Sequence, residues 1–88
     1  MTGERLRLLV IDDDQVDRLA IRRAVEQSGL LAEVIEAADA TEAQVHLGSK
    51  LDCVLLDSDL PGMSGIELAV QMRASGNHVP IVLVTGRQ

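Results

Sequence analysis

The sequence predicts an α/β fold, a doubly wound parallel sheet with helices on both faces. Four short apolar runs, near residues 6–11, 33–37, 53–56 and 81–84, are rich in Val, Ile and Leu. Three of these runs are almost continuously apolar, which is typical of strands buried on both faces. The segments between them carry helical periodicity and helix boundary signals. The predicted order is therefore β-α-β-α-β-α-β, and right-handed crossovers place alternate helices on opposite faces of one sheet.

The first predicted helix begins after Asp14, the expected N-cap, and ends before Gly29. Its apolar residues fall on one face: Val16, Leu19, Ala20, Ala24 and Val25. Its charged residues populate the rest of the surface: Asp17, Arg18, Arg22, Arg23 and Glu26. The three arginines lie about one turn apart and could meet an acidic partner, but a solvated helix face is the simpler interpretation.

The second and third predicted helices have their own start and stop signals. Asp39-x-x-Glu42 resembles a capping box with Asp in place of Ser or Thr, and Ser64-x-x-Glu67 is a regular one. Both helices are expected to stop at glycines, near Gly48 and Gly76.

Composition limits the classes of function that the chain can perform. The formal net charge is −6, and the sequence contains no Phe, Tyr or Trp. Nucleic-acid binding is disfavoured because no aromatic side chain can stack on bases and no basic cluster can neutralise phosphates. The apolar runs are far shorter than the ~20 residues of a membrane helix, and the N-terminus lacks a signal-peptide core. We therefore expect a soluble cytoplasmic protein without membrane contact, in which the lone Cys53 serves packing.

Acidic residues stand where the predicted strands end. Asp12, Asp13 and Asp14 close the first apolar run, Asp57 closes the third, and Thr85 follows the fourth. Because the carboxyl ends of parallel strands meet at one edge of the sheet, these side chains should converge there. Crowded carboxylates repel one another unless a cation lies among them, and oxygen ligands without His or Cys favour Mg²⁺ over zinc.

These residue types suit phosphoryl chemistry. With Asp14 assigned to the helix cap, Asp12, Asp13 and Asp57 could form a cradle for Mg²⁺. An exposed carboxylate beside Mg²⁺ can attack a phosphoryl group and form an aspartyl phosphate. Thr85 could then donate a hydrogen bond to that group, an assignment that rests on its position rather than on its identity.

Three motifs together resemble the receiver domain of bacterial two-component response regulators. They are Leu9 to Asp14, then Val54 to Asp57 with Leu60 to Gly65, then Val82 to Gly86. The resemblance implies an incomplete flavodoxin-like (CheY-like) sheet of four strands in the order 2-1-3-4. It implies that Asp57 accepts a phosphoryl group from a sensor histidine kinase or a histidine phosphotransfer protein.

The same resemblance implies roles for the neighbouring residues. Mg²⁺ would be held by Asp12, Asp13 and Asp57 with the main-chain carbonyl of Asp59, and the Thr85 hydroxyl would turn toward the phosphoryl group in the active state. For the Asp59 side chain two roles are open, tuning of the phosphate lifetime or a solvated loop acid.

The sequence departs from the family pattern at its end. A complete receiver continues with a helix, a fifth strand and a last helix, and the fifth strand carries a lysine that contacts the phosphoryl group. The sequence stops at Gln88, and its only lysine, Lys50, precedes the third strand. We therefore expect residues 1–88 to form a single receiver domain without its C-terminal portion and without the downstream output domain. An open fourth strand would then favour a homodimer or a domain swap.

Two other functions are compatible with parts of the sequence. Leu8 to Val16 also fits the D-x-D pattern of haloacid-dehalogenase-like phosphohydrolases, in which Asp12 would be the nucleophile, Asp14 the general acid/base and Thr85 a phosphate ligand. That interpretation leaves the loop after Asp57 unexplained. The third possibility is a receiver-like interaction module that is not phosphorylated.

Overall fold

A computed structural model describes residues 5–84, which form one four-stranded sheet and three helices. In chain order the elements are β1 (Leu6–Ile11), α1 (Gln15–Gln27), β2 (Ala32–Ala37), α2 (Ala40–Leu47), β3 (Cys53–Asp57), α3 (Gly65–Ala74) and β4 (Ile81–Val84). All paired strands are parallel, and their order is β2-β1-β3-β4. The predicted fold class and strand order are confirmed.

The central strands β1 and β3 carry the core. Leu9 and Ile11 of β1 and Val54 and Leu56 of β3 are fully buried, and they pack in one cluster with Leu68 of α3. Their alternation along each strand places them on one face of the sheet. In the part of the chain from residue 5 to residue 84, no helix is long and apolar enough to cross a membrane.

The cap residues at the helix starts are as predicted. The Asp14 side chain accepts a hydrogen bond from Val16 N–H at the start of α1, and Ser64 and Glu67 form a complete capping box on α3. At α2, Asp39 accepts from Glu42 N–H, but Glu42 Oε1 accepts from the N–H of Ala38, one residue before the cap. That helix start is therefore a variant of the predicted capping box.

The predicted burial of β4 on both faces is wrong. Val82 and Leu83 are 49% and 44% exposed. Within residues 5–84, β4 pairs only with β3, so its other edge and part of both faces remain open to solvent.

The predicted apolar face of α1 is wrong except at Val25. The half-buried residues are Arg18, Ile21, Arg22 and Val25, whereas Val16 is 71% exposed and Leu19 is 42% exposed. Glu36 of β2 is the physical reason, because its carboxylate pairs with both Arg18 and Arg22. A half-buried carboxylate beneath a helix is stabilised by cationic partners, and the two arginines on the inward face supply them.

Candidate functional site

Two adjacent strands bring three carboxylates together at the carboxyl edge of the sheet. Asp12 and Asp13 follow the last residue of β1, and Asp57 is the last residue of β3. The two strands are neighbours, with Ile11 opposite Leu56. One carboxylate oxygen from each of the three residues lies within 4.8 Å of the others. The structure therefore places Asp12, Asp13 and Asp57 in the cluster that the sequence predicted.

The main chain anchors two of these carboxylates. Asp12 Oδ1 accepts a hydrogen bond from Asp14 N–H at 2.9 Å, and Asp57 Oδ1 accepts one from Asp59 N–H at 3.0 Å. In each case the carboxylate at the end of a strand accepts from the amide two residues further along the following loop. The loop geometry thus directs both carboxylates toward the same point.

The second oxygen of Asp57 is buried and has no hydrogen-bond donor within residues 5–84. Asp57 as a whole is only 8% exposed, and Asp12 only 5%, while Asp13 is exposed. Buried polar atoms nearly always have a partner, so an unpartnered carboxylate oxygen points to a ligand that completes the site.

Burial and like charges disfavour the ionised form of Asp12. Burial is the main cause that raises the pKa of the Asp12 carboxyl above its usual value, and the charges of Asp57, Asp17 and Asp13 raise it further. The hydrogen bond from the Asp14 amide opposes this rise but does not cancel it. A cation at this position would relieve both effects.

The donor set suits a hard divalent cation. All three side chains offer oxygen, two are buried, and one buried oxygen lacks a partner in the described part of the chain. Mg²⁺ binds through a few carboxylates and retains several waters, so an open, oxygen-only cluster fits it.

The loop between β3 and α3 forms one wall beside the cluster. Residues Ser58 to Ser64 and Asp13 line an open depression of about 510 Å³. Asp59 lies on this wall and is exposed. Of the three clustered carboxylates, Asp13 is the one that lines this depression.

Gly65 supports the site through packing, a role that its position in the sequence did not indicate. A Cβ atom at Gly65 would collide with the main-chain carbonyl of Asp57, and Gly65 N–H donates to Ser58 O at 3.0 Å. The first turn of α3 therefore lies directly against the backbone of Asp57. The sequence signal was the glycine itself, placed immediately after a cap residue where a helix ordinarily prefers another residue.

Arg18 is a second residue whose role was missed. Its Nη1 donates to the main-chain carbonyl oxygen of Asp12, and its Nε donates to Glu36. The four-residue spacing of Arg18 and Arg22 was visible in the sequence, but the acidic partner on β2 was not. Thr85, predicted to serve the same site, lies outside the described residues.

The comparison with known families decides between the phosphoryl-transfer interpretations. The profile of the response regulator receiver domain matches residues 8–88. The chain belongs to the response regulator receiver domain family. This match includes the loop after Asp57, which the dehalogenase-like alternative left unexplained.

Relatives of this receiver domain include longer proteins. The response regulator MprA of Mycobacterium sp. (strain KMS) is 35% identical over 83 residues, which cover 93% of this chain and 35% of MprA. MprA of Mycolicibacterium vanbaalenii is 36% identical over the same length. This chain thus spans about a third of the length of these curated relatives.

Solved structures show the same fold. The response regulator TrrA from Thermotoga maritima, solved in complex with Mg²⁺-BeF, is 30% identical with a TM-score of 0.82, over 94% of this chain and 71% of that one. A receiver protein from Pseudomonas putida is 27% identical with a TM-score of 0.84, over 99% of this chain and 73% of that one. Membership of this family supports a phosphorylatable signalling switch as the function of this receiver domain.

Proposed function

We propose that Asp57 is the phosphoacceptor of this receiver domain and that a sensor histidine kinase or a histidine phosphotransfer protein is the donor. The observation that carries the proposal is the buried, unpartnered Oδ2 of Asp57 beside two further carboxylates. A structural carboxylate would have a hydrogen-bond donor for both oxygens, whereas the nucleophilic oxygen needs a lone pair that no donor occupies.

The transfer forms one bond and breaks one. A carboxylate oxygen of Asp57 bonds to phosphorus as the bond from phosphorus to the donor imidazole nitrogen breaks, and that nitrogen keeps the electron pair. The hydrogen bond from Asp59 N–H holds the carboxylate during the attack, and the loop of residues 58–64 shapes the depression through which the donor enters. Positioning of this kind contributes much of the rate of phosphoryl transfer.

Mg²⁺ is the cation that we propose for the site, held by Asp12, Asp13 and Asp57 with the main-chain carbonyl of Asp59. When bound, it offsets the negative charge of the carboxylates and of the incoming phosphoryl oxygens. The related TrrA was solved with Mg²⁺ and BeF together, which supports the same cation here.

We also propose roles for Thr85 and for the Asp59 side chain, based on where they stand relative to Asp57 in the sequence. We propose that the Thr85 hydroxyl donates a hydrogen bond to the phosphoryl group and moves with the switch. Asp59 is exposed on the wall of the depression, two residues after the phosphoacceptor. A carboxylate there can orient or repel the water that attacks the acyl phosphate. We therefore propose that the Asp59 side chain sets how long the aspartyl phosphate on Asp57 persists before hydrolysis.

The proposed protein is a switch and not a turnover enzyme. Its own chemistry consists of self-phosphotransfer and autodephosphorylation in the cytoplasm. Phosphorylation shifts a two-state equilibrium at the carboxyl edge and changes the surface that a partner recognises. We assign the role of that partner to an output domain, and the curated relatives, of which this chain covers about a third, are long enough to contain one.

Labelling with acetyl phosphate tests the proposal. We expect intact-protein mass spectrometry to show the addition of one phosphoryl group per chain, dependent on Mg²⁺ and removed by hydroxylamine. Asp57→Asn should abolish the addition, while Asp17→Asn, a change of an exposed acid on α1, should retain it.

Two results would count against this function. Equal labelling of native and Asp57→Asn protein would exclude Asp57 as the acceptor. Catalytic turnover of a phosphomonoester, abolished by Asp12→Asn, would instead support the phosphohydrolase, although Asp14 is already used as the cap of α1.

A further inference from the structure

Two arginines of α1 hold one carboxylate of β2. Arg18 Nε donates to Glu36 Oε1 at 2.9 Å, and Arg22 Nε and Nη2 donate to Glu36 Oε2 at 3.0 and 2.7 Å. These bonds lower the pKa of the Glu36 carboxyl below its usual value, with Arg22 the larger cause. Glu36 is therefore a fixed anion that sets the position of both guanidinium groups.

Each arginine also donates to a main-chain carbonyl, but the two carbonyls lie in different places. Arg22 Nη2 donates to Val34 O, within β2. Arg18 Nη1 donates to Asp12 O, at the edge where the acidic cluster lies. The Arg18 side chain is only 14% exposed, so water competes little for these hydrogen bonds.

The carbonyl of Asp12 belongs to the peptide unit that joins Asp12 to Asp13. Because a peptide unit is planar, fixing its oxygen also fixes the amide of Asp13 and limits the directions of both side chains. Asp12 and Asp13 supply two of the three carboxylates in the cluster. Three like charges in close contact would otherwise favour a loop conformation in which they move apart.

We propose that Arg18 is a positioning residue for the cation site. Anchored by Glu36, it holds the Asp12–Asp13 peptide in the orientation that turns both carboxylates toward Asp57. The inference rests on the proposed use of Mg²⁺. It adds that the cation site is held in shape by the Arg18–Glu36 pair, which joins α1 to β2 outside the acidic cluster. Residues in this position, which orient ligands without touching the metal, commonly change metal affinity by about 10–100-fold.

A positioning role and a purely electrostatic role of Arg18 predict opposite changes in Mg²⁺ affinity when Arg18 is replaced. Loss of a positive charge near the site would strengthen Mg²⁺ binding if charge alone mattered. Within residues 5–84 the hydrogen bonds of Arg18 reach Glu36 and the Asp12 carbonyl, and none reaches a carboxylate of the cluster. Loss of Arg18 should therefore weaken binding.

The matched variants Arg18→Gln and Arg22→Gln test the proposal, because each removes one cation from Glu36. Mg²⁺ binding is measured by calorimetric titration with MgCl₂ alone, and stability by urea unfolding followed by circular dichroism. We expect both variants to lose stability, but only Arg18→Gln to bind Mg²⁺ about tenfold more weakly than native protein. Arg18→Lys keeps the charge and a single donor and should lie between the two.

A second measurement needs no metal. The ¹⁵N chemical shift of the Asp13 amide reports on the same peptide unit, and it should move in metal-free Arg18→Gln but not in Arg22→Gln. Equal Mg²⁺ affinity in native and Arg18→Gln protein would overturn the positioning proposal alone. A native protein that binds no Mg²⁺ would overturn the cation site as well as the role of Arg18.

Discussion

Asp12 and Asp57 are neighbouring carboxylates whose burial is unfavourable for folding. Both carboxylates are buried beside each other, and the charge of Asp57 helps to raise the pKa of Asp12. Burial of a charge costs free energy unless a partner compensates it. In the metal-free protein the cluster therefore opposes folding, and the amides of Asp14 and Asp59 offset only part of this cost.

Replacing Asp12 by Asn should stabilise the metal-free protein. Asparagine keeps an oxygen that can accept from Asp14 N–H, but it removes a buried charge and its repulsion with Asp13 and Asp57. We expect a gain on the order of 1 kcal/mol, the Coulomb energy of two unit charges about 4 Å apart in water. Urea unfolding with and without MgCl₂ measures it, and the native protein should gain more stability from Mg²⁺ than the variant does.

The pH dependence of this gain has a defined sign. The pKa of Asp12 is higher in the folded than in the unfolded chain, so protonation favours folding. The gain from Asp12→Asn should be absent below the usual pKa of an aspartate and fully present above the raised value. A gain that grows as the pH falls would contradict the assignment.

At the scale of elements, the start of α3 and the end of β3 form one unit. The capping box of Ser64 and Glu67 fixes where α3 begins, and Gly65 then packs its backbone against the carbonyl of Asp57. Any side chain at Gly65 would push α3 away from the strand that carries the proposed phosphoacceptor. The glycine is thus required by close approach and not by its backbone dihedral angles.

We predict that Gly65→Ala destabilises the protein by about 1–3 kcal/mol, the usual cost of inserting a methyl group where no space exists. It should also slow phosphorylation of Asp57, since relief of the collision displaces that residue. Gly48→Ala is the matched control, because Gly48 has an ordinary φ of −80° and nothing lies near its added Cβ. Equal unfolding free energies for the two variants would show that α3 moves without cost.

At the scale of the whole molecule, the sheet has unequal edges in the part that the structure describes. The edge strand β2 runs beside α1 and is joined to it by the Glu36 ion pairs. The other edge strand, β4, presents exposed Val82 and Leu83 beside an unpaired backbone edge. Such an edge is a template for pairing with another chain.

We therefore predict concentration-dependent self-association of this 88-residue chain through β4. Sedimentation velocity should show dimers at micromolar concentrations, and Val82→Lys should reduce them because a charge blocks edge pairing. Val45→Lys places the same charge on an exposed position of α2 and should leave association unchanged. A native monomer over the full concentration range would exclude pairing through this edge.

Local signals were enough to predict the elements and the convergence of the acids. Strand boundaries followed from short apolar runs, and helix starts followed from Asp14, Asp39 and Ser64, because a cap interacts with backbone atoms a few residues away. A parallel arrangement of neighbouring strands then placed Asp12, Asp13 and Asp57 at one edge of the sheet, while the strand order itself came from the resemblance to receiver domains. Each of these inferences uses contacts that are near in sequence or imposed by topology.

The tertiary structure alone decided which side chains surround and support those acids. Arg18 and Arg22 of α1 turn inward and pair with Glu36 of β2, which is distant in sequence, and periodicity cannot reveal a partner on another element. Gly65 gained its role from the Asp57 carbonyl, which its own position in the sequence does not reveal. The open edge of β4 followed from the sequence, whereas the exposure of Val82 and Leu83 on its faces did not. The sequence by itself determined where the chemical groups are placed along the chain and at which edge they meet. Packing determined how they are held, since the free energy of a buried charge or a close contact depends on atoms that only the folded chain brings together.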